Sequence, residues 1–151
     1  MGRNQEGFSY VIALFLVAAL AILSVRAMEN TASKEQRDRE AELLIVGQAY
    51  YVAIRLYYEN SPGVVKAYPK ELVNLLEDAR ATKITRPLRR LYRDPITSSA
   101  EWGIIRAPDG GVMGIYSRSN RKPFKVAGFP IDMSSFSSAN TYQDWKFSYQ
   151  P

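Results

Sequence analysis

Cysteine and histidine are both missing from the 151 residues. Their absence removes disulfides, thiol nucleophiles, Cys/His zinc sites, imidazole general bases and the Ser-His-Asp triad in one step. A G-x-S-x-G elbow and a phosphate-cradling glycine loop are missing as well, and Gly110-Gly111 already has a turn to make. The chain is therefore read as a non-enzyme. A protein without thiols fits an oxidising or a reducing compartment equally well, so location has to come from other features. There is also no internal repeat and no long low-complexity segment. What is present is ordinary globular material, 46% hydrophobic and 23% charged, enough for one modest domain with a core. Twenty Lys and Arg against fifteen Asp and Glu leave a net charge of +5, a mild preference for anionic surfaces.

The longest apolar run is FSYVIALFLVAALAILSV at 8–25, without a charged side chain and followed at once by Arg26 and Glu29. As a helix it would extend about 27 Å, close to the roughly 30 Å of a bilayer hydrocarbon core. Three readings compete: a permanent single-pass anchor, a cleaved secretory signal, and a buried helix of a soluble fold. The run is longer than an ordinary signal h-region, and Val25-Arg26-Ala27 is a poor cleavage site. A buried helix fits less well, because the segment is apolar on every face and continues into a long charged stretch with no turn residue between. No Pro or Gly occurs from 8 to 46, which predicts one long helix. Leu43, Val46, Tyr50, Ala53 and Tyr57 then recur at steps of three and four, an apolar stripe that should dock on a head domain. Asn60-Ser61-Pro62-Gly63 marks the end of that helix.

Beyond it, Tyr68-Pro69 with Leu72, Leu75 and Leu76 predicts a short helix with Pro at its first position. Strand-like runs at 101–107 and 112–117 flank Pro108-Asp109-Gly110-Gly111, which predicts a β-hairpin. A third strand is expected over 142–149, where Gln143, Trp145, Phe147 and Tyr149 alternate with Tyr142, Asp144, Lys146 and Ser148. The Ser-rich stretch 131–140 reads as a loop.

A short leader ending in Gly7 before Phe8, an apolar helix, an amphipathic continuation and a small C-terminal head together resemble the type IV pilin-like proteins. Among these, the chain looks most like the pseudopilins of type II secretion. Tyr68-Pro69-Lys70-Glu71-Leu72, Asp94-Pro95, Trp102-Gly103 and Gly114-Ile115-Tyr116-Ser117, in this order, resemble the major-pseudopilin head. The resemblance implies an α+β pilin-like fold, with a prepilin leader at 1–7, a transmembrane helix segment at 8–25 and a periplasmic head at 26–151. The long N-terminal helix, half transmembrane and half amphipathic, would pack on a small antiparallel sheet. It implies cleavage by a prepilin peptidase between Gly7 and Phe8 and methylation of the new Phe8 amine. It further implies a single-pass protein of the bacterial inner membrane that does no bond chemistry. Such a protein assembles through Phe8, Ile12, Ala13, Ala18 and Ala19 with other pseudopilins or pilin-like subunits, on an inner-membrane platform and in contact with membrane lipid, to support protein export. Small residues there permit close helix approach.

Two departures from that pattern stand out. Asn4-Gln5-Glu6 precedes Gly7 where the family has basic residues, leaving Arg3 and the terminal amine as the positive charges. Ile12 stands where the family has glutamate, which points to a minor or specialised subunit rather than the main filament protein. Two further constellations remain open. Arg86, Arg89, Arg90 and Arg93, with Arg80 and Lys83 nearby, form the densest basic run, either an anion-binding patch for phosphate or anionic lipid or a solvated loop pairing with acidic residues of a neighbouring subunit. Nucleic acid, as in a DNA-uptake pilin, is the alternative partner for the basic 80–93 segment. Asp109, Asp132 and Asp144 are weak candidates for calcium, the one cofactor in view, although their spacing forms no dense ligand run.

Overall fold

The computed structural model describes residues 5–81 and 84–151, and for 5–8 and 25–30 the backbone alone. Its fold is α+β, with one long helix and a small three-stranded antiparallel sheet. Helix α1 runs Gln5–Glu59, beginning three residues before Phe8 and ending where Asn60-Ser61-Pro62-Gly63 predicts. Two compact units divide the chain, Met1–Gln36 and Arg37–Pro151, and α1 contributes to both.

In the first unit the apolar side chains of α1 face outward: Val11, Phe15, Val17 and Leu23 are each more than half exposed. Ser24 returns its hydroxyl to the Leu20 carbonyl at 2.8 Å, so its polar atom is satisfied within the helix. Among the described residues no helix is long and apolar enough to cross a membrane. Both ends of the apolar run at 8–25 fall among the residues whose backbone alone is described, which leaves 9–24.

In the second unit α1 turns its stripe inward. Leu43, Val46, Tyr50, Ala53 and Tyr57 are all buried, with Ile54 beside them, and they join Trp102, Val112, Ile115, Trp145 and Phe147 in one core. The three-and-four spacing places these side chains on one face of the helix. Gly47 lies in the same face because Phe147 needs its space: a β-carbon there would come within 2.4 Å of the phenyl ring. At the C-terminus the exposed carbonyls are capped in turn. Tyr57 O accepts from the Ser61 hydroxyl and the Arg80 guanidinium, and Glu59 O from Lys66 Nζ at 2.8 Å. Gly63 then takes φ +81°, a left-handed conformation that costs glycine little.

The predicted hairpin is present as β1 (Gly103–Arg106) and β2 (Val112–Tyr116), paired antiparallel with Gly103 opposite Tyr116. Its turn closes through Ala107 N–H to Gly111 O and Gly110 N–H to Ala107 O, with Gly110 at φ +81°. The third strand, β3, is much shorter than 142–149, because only Phe147–Ser148 pairs with β2. Ahead of it the chain coils into a 3-10 turn, Tyr142–Asp144, because Asp144 reaches back to the N–H groups of Asn140 and Thr141 and breaks the alternation. Trp145 and Phe147 are buried as the alternation predicts, yet so is Tyr142 from the expected polar side.

Two more expectations need correction. The stretch read as a Ser-rich loop is helical: Ile131–Ser138 forms 3-10 turns broken at Met133, with Phe136 buried. Ser137 and Ser138 return their hydroxyls to carbonyls three residues earlier, which makes serine compatible with these tight turns. The short helix after Pro69 shrinks to a 3-10 turn, Leu72–Leu75. Pro69 lies outside it, its carbonyl accepting Val112 N–H at 2.7 Å, so this segment is tied to the start of β2.

Candidate functional site

The expected cleavage position lies at the margin of what is described. Gly7 and Phe8 have helical backbone within α1, and the Phe8 side chain lies outside the described residues. Of the expected assembly positions, Ile12 is 45% exposed, Ala13 and Ala18 are exposed, and Ala19 is half-buried. This portion of α1 presents apolar atoms only, a surface suited to lipid or to another helix.

In the head, the Gly114–Ser117 strand end meets both Asp94 and Gly103, while the Tyr68–Leu72 segment is tied to the hairpin at Val112. Asp94 is fully buried and both its carboxylate oxygens are engaged: Oδ1 takes Ile96 N–H, while Oδ2 takes the Thr97 and Ser117 hydroxyls at 2.8 and 2.7 Å. The Asp94-Pro95 turn is thereby fastened to the end of β2. A side-chain–backbone turn of this kind is what Asp before Pro favours locally. Trp102 donates its indole N–H to Tyr92 O at 2.9 Å, and the same residue is held from the helix by Tyr50, whose hydroxyl accepts Tyr92 N–H at 3.0 Å. Burial pushes the Tyr50 phenol up, so it stays neutral. Gly103 leaves room for the Tyr116 ring opposite; a β-carbon would sit 2.2 Å from it. Tyr68 backs the hairpin turn, where Gly111 has no space for a β-carbon either.

The basic run separates into two parts. Arg80 does not belong to an anion site: its guanidinium makes two 2.8 Å bonds to the Asp78 carboxylate, donates to Tyr57 O at 2.6 Å and Ser61 Oγ at 3.0 Å, and lies 3.4 Å above the Tyr57 ring. The Arg80 bonds hold the Asp78 carboxyl below its ordinary value, and Asp78 in turn raises Arg80. Lys83 lies outside the described residues. Arg86, Arg89, Arg90 and Arg93 are brought together on one exposed segment that alternates with buried Leu88 and half-buried Tyr92. Arg86 has a loose contact to Glu77 at 3.6 Å, and Arg90 lies over the Tyr92 ring at 4.9 Å.

The three aspartates proposed for calcium are not brought together. Asp109 accepts Gly111 N–H in the hairpin turn, Asp132 begins the 3-10 turns at Ile131–Ser138, and Asp144 caps its own turn. The bond from Thr141 N–H is the main reason the Asp144 carboxyl sits below its ordinary value. Among the described residues no group of three acidic side chains could hold a metal ion.

One polar centre has no local sequence signature. Glu40 is 3% exposed, and its carboxylate gathers the backbone N–H groups of Phe124 and Lys125 and the Tyr142 hydroxyl, the last at 2.8 Å. It is one acid among many in the charged part of α1. Its tight partners come 84 and 102 residues later, so no spacing rule exposes it. No family model, no curated protein and no solved structure matches the chain.

Proposed function

We propose that the chain is a pseudopilin-like structural subunit of a type II secretion or related type IV pilus-like apparatus, a minor or specialised member rather than the principal filament protein. The observation that carries this reading is the division of labour along α1. The same helix exposes an unbroken apolar surface over 11–23 and further on supplies the stripe that packs into the core of a small α+β head. A helix apolar on all sides needs lipid or other helices around it. A filament of packed N-terminal helices supplies the second, and the inner membrane supplies the first before assembly.

In this reading the membrane-extracted protein begins at Phe8, with a methylated amine, whenever a prepilin peptidase is present. N-terminal sequencing tests it directly. Gly7→Leu should leave the precursor uncut, because the bulky side chain replaces the small residue ahead of the scissile bond. A mature chain beginning at Met28 would mean a conventional secretory signal and would end the membrane-subunit reading.

A further inference from the structure

We propose that the arginine strip 86–93 docks the acidic surface of a different protein chain. Its identity as a co-subunit rests on the function proposed above. The backbone of this strip is pinned at three places. Thr85 exchanges two bonds with Asp78, at 2.8 and 3.0 Å; Leu88 is buried with its N–H on Leu75 O at 2.9 Å; and Tyr92 is held by Tyr50 and Trp102. Arg86, Arg89, Arg90 and Arg93 project between those pins and are exposed. A partner therefore meets a preorganised row of guanidinium groups and does not have to order a loop.

The charges of the strip are largely unspent. The Arg86 contact to Glu77 joins side chains that are 73% and 55% exposed, and among the described residues Arg93 donates only to Ser98 O, at 3.4 Å. Arg89 pairs with no carboxylate among the described residues. All four cations are arginine, whose planar fork suits carboxylates better than an ammonium does. Leu91 is 46% exposed among them and Ile84 57% exposed beside them, so the strip mixes charge with aliphatic surface.

A second copy of this chain does not fit. Residues 1–36 carry three basic and three acidic residues, so the whole excess of five falls on the head, and copies would meet positive to positive. Most of the head's own acids are occupied: Glu40, Glu59, Asp78, Asp94, Glu101, Asp109 and Asp144 accept bonds or ion pairs within it. The other five are scattered, Asp38 between Arg37 and Arg39 and Glu42 three residues after Arg39 on α1, Glu77 already beside Arg86, and Glu71 and Asp132 at separate 3-10 turns. Nucleic acid fits less well than protein, since single strands use open aromatic faces and the one ring in the strip, Tyr92, already lies under Arg90.

The test uses the full chain in neutral detergent micelles and a labelled peptide of alternating Glu and Leu, with the Gln-Leu peptide as control. Anisotropy should show saturable binding of the acidic peptide that weakens with salt. Arg89→Glu/Arg90→Glu should weaken it at least about tenfold, and the gentler Arg89→Gln/Arg90→Gln by an intermediate factor. Lys70→Glu/Lys146→Glu, which changes net charge equally at exposed sites elsewhere, should change it less than about threefold. Absence of peptide binding would overturn the proposal, and so would equal losses in the two charge-reversed variants. Tighter retention of a single-stranded oligonucleotide or of phosphatidylglycerol vesicles through the same arginines would overturn it in favour of a phosphate partner. Leader cleavage is read separately, so failure of this surface and failure of the subunit assignment leave different results.

Discussion

Arg80 and Asp78 show how one pair of residues can decide the end of a helix. Separated by one residue, they form a two-bond ion pair in which one outer nitrogen of Arg80 reaches Tyr57 O in the last turn of α1 and the other reaches Ser61 Oγ, so the charge that stabilises the pair also caps the helix. The Asp78 side chain is 5% exposed and that of Arg80 27%, so the pair is largely shielded from water. Asp78→Asn should therefore cost roughly 1.5 to 3 kcal/mol at neutral pH, the usual worth of a hydrogen bond to a charged group. The pH dependence has a definite sign. A carboxyl held below its ordinary 3.8 in the fold stabilises at every pH above that value, and this contribution disappears as pH falls from there through the folded value. Melting curves of wild type and Asp78→Asn should thus converge on acidification below about 4 and stay apart above it. A gap that is constant down to low pH would show that the pair contributes nothing through its ionisation.

At the scale of elements, periodicity and turn chemistry were legible and long-range polar fastening was not. The stripe from Leu43 to Tyr57 can be read from its spacing because every member faces one large core, and the hairpin from Asp109-Gly110 because few other residues accept that turn. Alternation at 142–149 misleads because the Thr141–Asp144 capping box is a competing local structure that the apolar pattern ignores. Arg80 reads as part of a basic cluster because its true partner, the end of α1, is adjacent only after folding. Of the site itself, the exposed arginines were legible as a run of charge, while the pins that hold them in place were not. The stripe also carries a firm consequence. Val46 is 5% exposed in the core, so Val46→Asp should destabilise the full chain in detergent by on the order of 3 kcal/mol or more, whereas Glu42→Gln, on an exposed position, should stay within about 0.5. Equal melting temperatures for wild type and Val46→Asp would mean that the helix presents another face to the head.

For the whole molecule, the subunit function proposed above makes Ile12 the residue that would set the terms of assembly. Without a carboxylate at this position, an incoming neighbour's terminal ammonium would lie unpaired in lipid, at a cost of roughly 2.5 to 3.5 kcal/mol on insertion scales. Overproduced alone in cells that hold the assembly machinery, the protein should form no homopolymer, and Ile12→Glu should increase self-crosslinking through α1. Abundant filaments of the unaltered chain would show that register comes from head contacts and helix packing instead. The placement of Trp102 and Trp145 has a different kind of consequence. They are the only two tryptophans, and both are buried in the head, at 6% and 0% exposure. Tryptophan fluorescence therefore reports the head alone, while far-ultraviolet circular dichroism is dominated by the 55 residues of α1. If residues 1–36 and the head lose structure separately, the two signals will melt at different temperatures, and a single coincident transition would mark the chain as one cooperative unit.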